Sequence, residues 1–161
     1  MEKMGQFPAN VGISEIRGIV EILKDNGGSM ELSKLAEEAE EEIDKLLPLI
    51  DAAEMLGLCI VQNGTIVLTQ FGKSLTMHNS SQIIGKALRS IEPFKTVLER
   101  LASGSASTHE LAEILKSKGI VLYNEDMTNE SMLSSMLMKW GVRTKLLSYT
   151  KERWSLYGSA K

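Results

Sequence analysis

The hydrophobic positions in the first forty residues follow two helical stretches separated by a break. In residues 13–25 apolar side chains recur at helical spacing, so the inward residues should be Ile13, Ile16, Ile19 or Val20, and Leu23. Asn26, Gly27 and Gly28 should end this helix, because glycine readily takes the left-handed cap conformation. Ser29 then predicts the cap of a second helix over residues 30–40, with Met30, Leu32, Leu35, Ala36 and Ala39 as its apolar residues.

A third helix and a hairpin follow. The helix is predicted from about Glu42 to Leu56, where Pro48 either kinks it or marks its true first turn. Its predicted inward residues are Ile43, Leu46, Leu47, Ile50 and Ala53. Two β-prone runs then flank Asn63-Gly64, which is the strongest short signal for a hairpin turn. Three helices and a hairpin are the element order of a winged helix-turn-helix.

The second half of the chain repeats this order of elements. Residues 82–101 predict a long helix that Pro93 breaks in two. A helix with Leu111, Ile114 and Leu115 follows a small polar cap and ends at Gly119. The last helix should bury Leu133, Met136, Leu137, Trp140 and Leu147, and residues 146–150 and 153–157 should pair as a second, smaller wing. Element order alone, without residue identity, indicates a weak internal duplication.

The predicted fold class is therefore mostly α with small β-hairpins (α+β). We expect two tandem winged helix-turn-helix-like units, at residues 10–79 and 80–161, packed as one globular body through the helix at 82–101. Dimerisation is an open alternative, because the apolar helix at 82–101 could form an interface instead of a core.

Composition indicates a soluble cytoplasmic protein. The chain has 161 residues, of which 43% are hydrophobic and only 5% aromatic, so the core should be mainly aliphatic. No apolar run is long enough to cross a membrane, and the N-terminus lacks the apolar stretch of a signal peptide. Cys59, the single cysteine, is interpreted as a buried small hydrophobe.

Charge differs between the two halves of the chain. Residues 1–79 hold 6 Lys/Arg and 13 Asp/Glu, while residues 80–161 hold 12 and 8, so balances of −7 and +4 make up the total of −3. Such an asymmetry indicates either that only the second half meets an acidic partner or that two solvated surfaces simply differ.

The segment Gly72-Lys73-Ser74 resembles the end of a phosphate-binding loop. That loop needs a glycine five residues before Gly72, and this chain has the β-branched Val67 there. Val67 also belongs to the predicted return strand of the hairpin. We therefore expect residues 69–72 to turn the chain out of the wing, with Lys73 solvated and no nucleotide bound.

Other candidate chemistry is equally weak. His109-Glu110 begins a zinc-helix pattern, but Glu113 stands where the second histidine should be, and His78 lies in a loop-like stretch. The acidic run from Glu37 to Asp44 lacks the Gly and Asn spacing of a calcium loop. Because two isolated histidines also make a poor basis for a catalytic triad, we expect no enzyme activity, no metal and no cofactor.

The outward face of the third helix favours a protein partner over DNA. The inward set leaves Asp44, Lys45, Pro48, Asp51, Ala52 and Met55 outward. DNA binding relies on Lys and Arg to neutralise phosphates, and this face has one cation against two acids. The candidate protein-partner residues are therefore Asp44, Lys45, Pro48, Asp51 and Met55.

The last helix and the second wing carry the candidate nucleic-acid surface: Lys139, Arg143, Lys145, Lys151 and Arg153. Lys139 and Arg143 are four residues apart, and Lys151 and Arg153 belong at the wing tip. Trp140, Tyr149, Trp154 and Tyr157 interleave with these cations, as in nucleic-acid binding surfaces. The alternative is that both tryptophans belong to the core.

Four runs of the sequence resemble the C-terminal AAA-associated domain, from about Ile13 to Tyr157: LLPLIDAAEMLGL, NGTIVLTQFGKSL, KALRSIEPFKTVLERLA and KWGVRTKLLSY. The most specific segments are Leu46-Leu47-Pro48, Ala52-Ala53-Glu54, Leu56-Gly57, Leu68-Thr69 with Gly72, and Trp140-Gly141. The family continues Trp-Gly with Arg-Tyr-Ala-Glu, whereas residues 142–145 here are Val-Arg-Thr-Lys, so no family role is carried onto this segment.

The resemblance implies a module that usually follows the ATP-binding cassette of ATPases related to nitrate, sulfonate and taurine importers. Because the chain begins with Met1 and has no nucleotide motif, we expect the ATPase to be a separate domain or chain. The predicted function is a non-catalytic regulatory module that binds a protein such as an ABC-type ATPase through its first unit. The alternative is a free-standing DNA-binding transcriptional regulator that uses the second unit.

Overall fold

A computed structural model of the protein describes residues 7–8, 11–120, 122 and 129–158. Within them, helices alternate with small antiparallel strand pairings, so the α+β class is confirmed. The chain divides into two compact units, Met1–Ile83 (unit 1) and Ile84–Lys161 (unit 2). Packing of the two units as one body stays a prediction.

Unit 1 combines helices with one three-stranded antiparallel sheet of order β1-β3-β2. Its elements in chain order are α1 (Ile13–Asp25), β1 (Ser29–Glu31), α2 (Leu32–Ala39), α3 (Ile43–Met55), β2 (Cys59–Gln62), β3 (Thr65–Leu68) and the short α4 (Gln70–Lys73). The predicted turn lies between β2 and β3, where Asn63 (φ 51°) and Gly64 (φ 78°) both take positive φ. The apolar positions of α1 face inward as predicted, with Ile13, Ile16, Ile19, Val20 and Leu23 all buried.

The prediction for Ser29 is wrong, because Ser29 begins a strand instead of capping a helix. Met30 pairs with Ile66 of β3, and both side chains are buried. The second helix starts only at Leu32, with Glu31 as an N-cap that makes no side-chain capping bond, and Leu35 is its one buried residue. Sheet pairing therefore takes the predicted cap residue and the first two residues of the predicted helix.

The predicted inward face of α3 is correct at its centre and wrong at its edge. Leu46, Ile50 and Ala53 are buried as expected, and Ala52, predicted outward, is buried with them. Ile43 and Leu47, predicted inward, are exposed. A helix packed on one side buries a single stripe, and these two residues lie beside that stripe.

The segment around Gly72 forms one turn of helix instead of a phosphate loop. Thr69 caps α4, because its Oγ1 accepts a hydrogen bond from the Gly72 amide at 2.9 Å. The same hydroxyl donates to the Gly57 carbonyl at 2.6 Å, which ties the end of β3 to the end of α3. The predicted turn out of the wing is therefore confirmed, and Lys73 is exposed.

Unit 2 continues from α5, which spans the division between the units. The elements are α5 (Ser80–Leu88), α6 (Phe94–Leu101), α7 (Thr108–Ser117), α8 (Asn129–Met136), a π-helix (Leu137–Val142), β4 (Leu147–Thr150) and β5 (Arg153–Leu156). The predicted break at Pro93 is confirmed, and Glu92 supports the start of α6 by accepting hydrogen bonds from the amide and hydroxyl of Thr96 at 3.1 and 2.9 Å. Ser107 caps α7 in a reciprocal bond pair with Glu110.

Both tryptophans belong to the core of unit 2. Trp140 and Trp154 are fully buried, together with the predicted Leu133, Met136, Leu137 and Leu147. Ala106, just before α7, forms an isolated antiparallel bridge with Trp154 of β5. This bridge corresponds to the pairing of β1 with β3 just before α2. In both units, therefore, the segment that precedes this helix, α2 or α7, bonds to the last strand of the hairpin.

Candidate protein-docking surface

The first candidate surface is the α3 face, which comprises Ile43, Asp44, Leu47, Pro48 and Asp51. Ile43 and Leu47 are 40% and 41% exposed, and they lie one helical turn apart. Asp44 and Asp51 are exposed and lie along one side of this pair at helical spacing, and Pro48 is half-buried. The α3 face therefore presents an apolar ridge with two carboxylates along one side.

The predicted partner residues lie close to this ridge. Lys45 is exposed, and Met55 is half-buried at the last position of α3. The sequence interpretation missed Ile43 and Leu47 as surface residues, because it assigned both to the core together with Leu46, Ile50 and Ala53. The signal that could have found them is the number of apolar residues in α3, which exceeds what one buried stripe can hold.

An acidic groove adjoins the beginning of α3. It has a volume of about 560 Å³ and is lined by Ser33, Ala36, Glu37, Glu40, Glu41, Glu42 and Lys45. Helix α2 ends at Ala39, where Glu40 takes the left-handed conformation at φ 55°, and the following glutamates lead directly into α3. Negative charge at this position also favours the N-terminus of α3.

A second apolar patch lies on the outer face of the unit 1 sheet. Ile60 and Val67 are cross-strand partners and are both exposed, as is Phe71 of α4. Cys59, the neighbour of Ile60 in β2, is buried as predicted. Burial, with a smaller contribution from the Glu54 carboxylate, raises the pKa of Cys59 to about 12, so its thiol stays protonated at neutral pH.

The five predicted nucleic-acid residues are all exposed in unit 2. Lys139 lies in the π-helix, Arg143 follows it, and Lys145 takes a left-handed φ of 61°. Lys151 lies at the tip of the β4–β5 hairpin, where it and Glu152 have φ values of 54° and 63°. The backbone is strained at these two residues, because a two-residue turn with positive φ at both positions favours Asn-Gly.

Arg153 differs from the other four because its guanidinium is already bonded within unit 2. Its Nε donates to Ser105 Oγ at 2.8 Å, and its Nη2 contacts the Ser105 carbonyl at 3.0 Å and Glu110 Oε1 at 3.3 Å. This network holds the loop before α7 against the hairpin. A cleft of about 560 Å³ lies at the same place, between that loop and Lys151.

His109 and Glu130 form an exposed contact between α7 and α8, with 2.6 Å between His109 Nδ1 and Glu130 Oε2. The hydrogen bond and the charge of Glu130 raise the pKa of His109 above its ordinary 6.5. The contact should therefore stabilise unit 2 fully at pH below about 6.5, and this contribution should disappear as pH rises through the folded-state pKa. Because both side chains are well exposed, the contribution should be small.

An NMR titration of His109 in the wild type and in Glu130→Gln checks this prediction. The substitution should lower the pKa of His109 and flatten the pH dependence of unit 2 stability. An unchanged His109 titration in the variant would show that Glu130 does not set this pKa.

No group of three or more His, Cys, Asp or Glu side chains within the described ranges is arranged to hold a metal ion. No helix in the described part of the chain combines the length and apolar character that a membrane crossing requires.

The fold and the surface define an α+β module with an apolar and acidic helix face. The profile of the C-terminal AAA-associated domain matches residues 33–150, which is well over half of the chain. The chain belongs to this family. The match begins within α2 and ends with β4, so it contains α3, the acidic groove and the Trp140-Gly141 segment. No curated protein and no solved structure matches the chain.

Proposed function

We propose that the protein is a non-catalytic regulatory module of winged-helix type that binds a protein partner, an ABC-type ATPase, through the α3 face. The exposed apolar ridge of Ile43 and Leu47 is the observation that carries the proposal. In three-helix variants of the DNA-binding helix-turn-helix, the third helix makes the main contacts with DNA. The element order of unit 1 supports that arrangement, with α3 in the position of this helix.

The chemistry of the α3 face favours protein over nucleic acid. Nucleic-acid affinity relies on Lys and Arg to neutralise phosphates, and α3 contains Lys45 as its one cation, beside the glutamates of the acidic groove. An exposed aliphatic pair gains free energy only when another apolar surface covers it. Exposed apolar groups rimmed by polar residues are typical of protein–protein contact sites.

Isothermal titration calorimetry with a purified ABC-type ATPase related to nitrate, sulfonate or taurine importers tests the proposal. The double variant Ile43→Ala/Leu47→Ala should weaken binding by about tenfold or more, since truncation of a central apolar contact costs about 1 kcal/mol or more. Met77→Ala is the matched control, because Met77 is 71% exposed and lies outside α3. Equal affinities for the double variant and the wild type would contradict docking by the α3 face.

A second candidate function is DNA binding by unit 2. It is favoured by Lys139, Arg143, Lys145 and Lys151, which are exposed and form no ion pair with any residue that the structure describes. Strain at the Lys151-Glu152 tip is typical of sites retained for function. Anisotropy of a labelled random duplex at two salt concentrations should then show salt-sensitive binding, which Lys139→Glu/Arg143→Glu/Lys145→Glu abolishes. Unchanged binding by this triple variant would contradict the assignment.

A further inference from the structure

We infer that the segment docking on the α3 face is a cationic amphipathic helix, whose apolar side covers Ile43 and Leu47 and whose Lys or Arg side chains enter the acidic groove. This inference rests on the proposed function and specifies the chemistry of the partner. The ridge begins where the groove lining reaches α3, because Glu42 lines the groove and Ile43 is the next residue along the chain.

The shape of the ridge favours a helical partner. Ile43 and Leu47 are separated by one helical turn, and side chains at this spacing form the ridges that pack into the grooves of a second helix. An amphipathic helix also satisfies its own backbone hydrogen bonds, so its apolar stripe can cover the ridge with no further pairing from α3.

The charge of the groove selects a basic partner. Glu37, Glu40, Glu41 and Glu42 form no ion pair with a described residue, and Lys45 is the one cation in the lining. Unit 1 carries 6 Lys/Arg and 13 Asp/Glu, so its wider surface reinforces the local field. An acidic segment would be repelled, whereas a basic segment would be attracted and would offset the repulsion among the glutamates.

Three synthetic amphipathic peptides of about 18 residues test the inference, a length at which such helices become stable. They share one leucine stripe and carry lysine, glutamine or glutamate on the polar face. Fluorescence anisotropy at about 0.01 M and about 0.1 M salt gives their affinities, since the Debye length falls from about 30 Å to about 10 Å over this range. Circular dichroism of each protein variant confirms that unit 1 is folded.

Two protein variants with the same change in net charge separate the groove from the bulk charge. Glu37→Gln/Glu41→Gln/Glu42→Gln neutralises three glutamates of the groove. Glu21→Gln/Asp25→Asn/Glu31→Gln neutralises three exposed acids elsewhere in unit 1. Ile43→Ala/Leu47→Ala removes the apolar ridge.

The lysine peptide should bind the wild type most tightly of the three, and the ridge variant should no longer bind it. The groove variant should weaken its binding by about tenfold at low salt, since exposed ion pairs contribute about 0.2–1 kcal/mol each. The control variant should weaken binding less than the groove variant at both salt concentrations, and by about twofold or less at about 0.1 M, where exposed charges more than about 10 Å away are largely screened.

If the lysine and glutamine peptides bind equally well and the ridge variant binds neither, the inference that the partner is cationic is wrong. The α3 face would then still be the docking face. Equal weakening by both charge variants would overturn the role of the groove. Binding that the ridge variant leaves unchanged would overturn the α3 face itself, and with it the proposed function.

Discussion

Replacement of Gly72 by alanine should destabilise unit 1 more than a typical overpacking substitution in a protein core does. A Cβ at this position would lie 2.0 Å from the carbonyl oxygen of Leu58 and 2.9 Å from its carbonyl carbon. Both are backbone atoms, and the Thr69 amide fixes this carbonyl by a hydrogen bond of 3.0 Å. Because no side-chain rotation relieves the clash, the cost should exceed the about 1–3 kcal/mol typical of overpacking.

The distribution of aromatic residues gives unit 2 a spectroscopic signal of its own. Both tryptophans of the chain lie in unit 2, so tryptophan fluorescence follows unit 2 during denaturation. Far-UV circular dichroism also detects the helices of unit 1. Gly72→Ala should move the circular-dichroism transition to lower denaturant, and a fluorescence transition that does not move with it would show that unit 2 unfolds separately.

Gly18→Ala is the matched control for Gly72→Ala. Gly18 lies within α1, and a Cβ there would meet nothing within 4 Å. Alanine should therefore stabilise unit 1 by about 0.5–1 kcal/mol, because it favours helix and restricts the unfolded chain. If Gly72→Ala unfolds at the same denaturant concentration as the wild type, the close approach of Leu58 is wrong.

Gly72 shows which part of the fold the sequence could predict. The pattern around residues 65–76 predicted a return strand and a turn, and both are present. It did not explain why the turn contains glycine, because Leu58 is distant in sequence and meets Gly72 only after the hairpin has formed. Local propensity identifies turns, whereas close backbone contacts depend on tertiary packing.

The wrong assignments have the same physical origin. Ser29 is a good helix cap by local chemistry, but pairing with Val67 places it in a strand. The bridge between Ala106 and Trp154 is also non-local, and its sequence shows no signal of its own. Helical periodicity located α3 but could not decide which apolar residues the rest of unit 1 would cover.

The candidate site was predictable in position and only partly in composition. The position of α3 and its acidic surroundings follow from the sequence, and Asp44, Lys45 and Asp51 are exposed as expected. Ile43 and Leu47, which carry the proposal, had been assigned to the core. Arg153 could not be distinguished from the other cations of unit 2, because its partners Ser105 and Glu110 are more than forty residues away.

Replacement of Trp154 by alanine should be the most destabilising change in unit 2. The side chain is fully buried, its Nε1 donates to Thr108 Oγ1 at 2.8 Å, and its ring centroid lies 4.4 Å from that of Tyr149. Its removal would leave a large cavity between the hairpin and the start of α7, and such truncations cost about 3–5 kcal/mol. Fluorescence of Trp140 remains available to follow unfolding of the variant by denaturant.

Trp154→Phe separates packing from the hydrogen bond. Phenylalanine keeps most of the apolar contact but cannot donate to Thr108, and since Thr108 is half-buried, water can replace part of that bond. The loss of stability should therefore be smaller than for alanine. The contrary outcome is that Trp154→Ala unfolds like the wild type but loses affinity for single-stranded DNA. The ring would then stack on a base, and loss of such a stacking contact costs about 1–3 kcal/mol per base. The full burial of Trp154 makes the packing role the expected result, because a ring that stacks on a base must first be reachable from solvent.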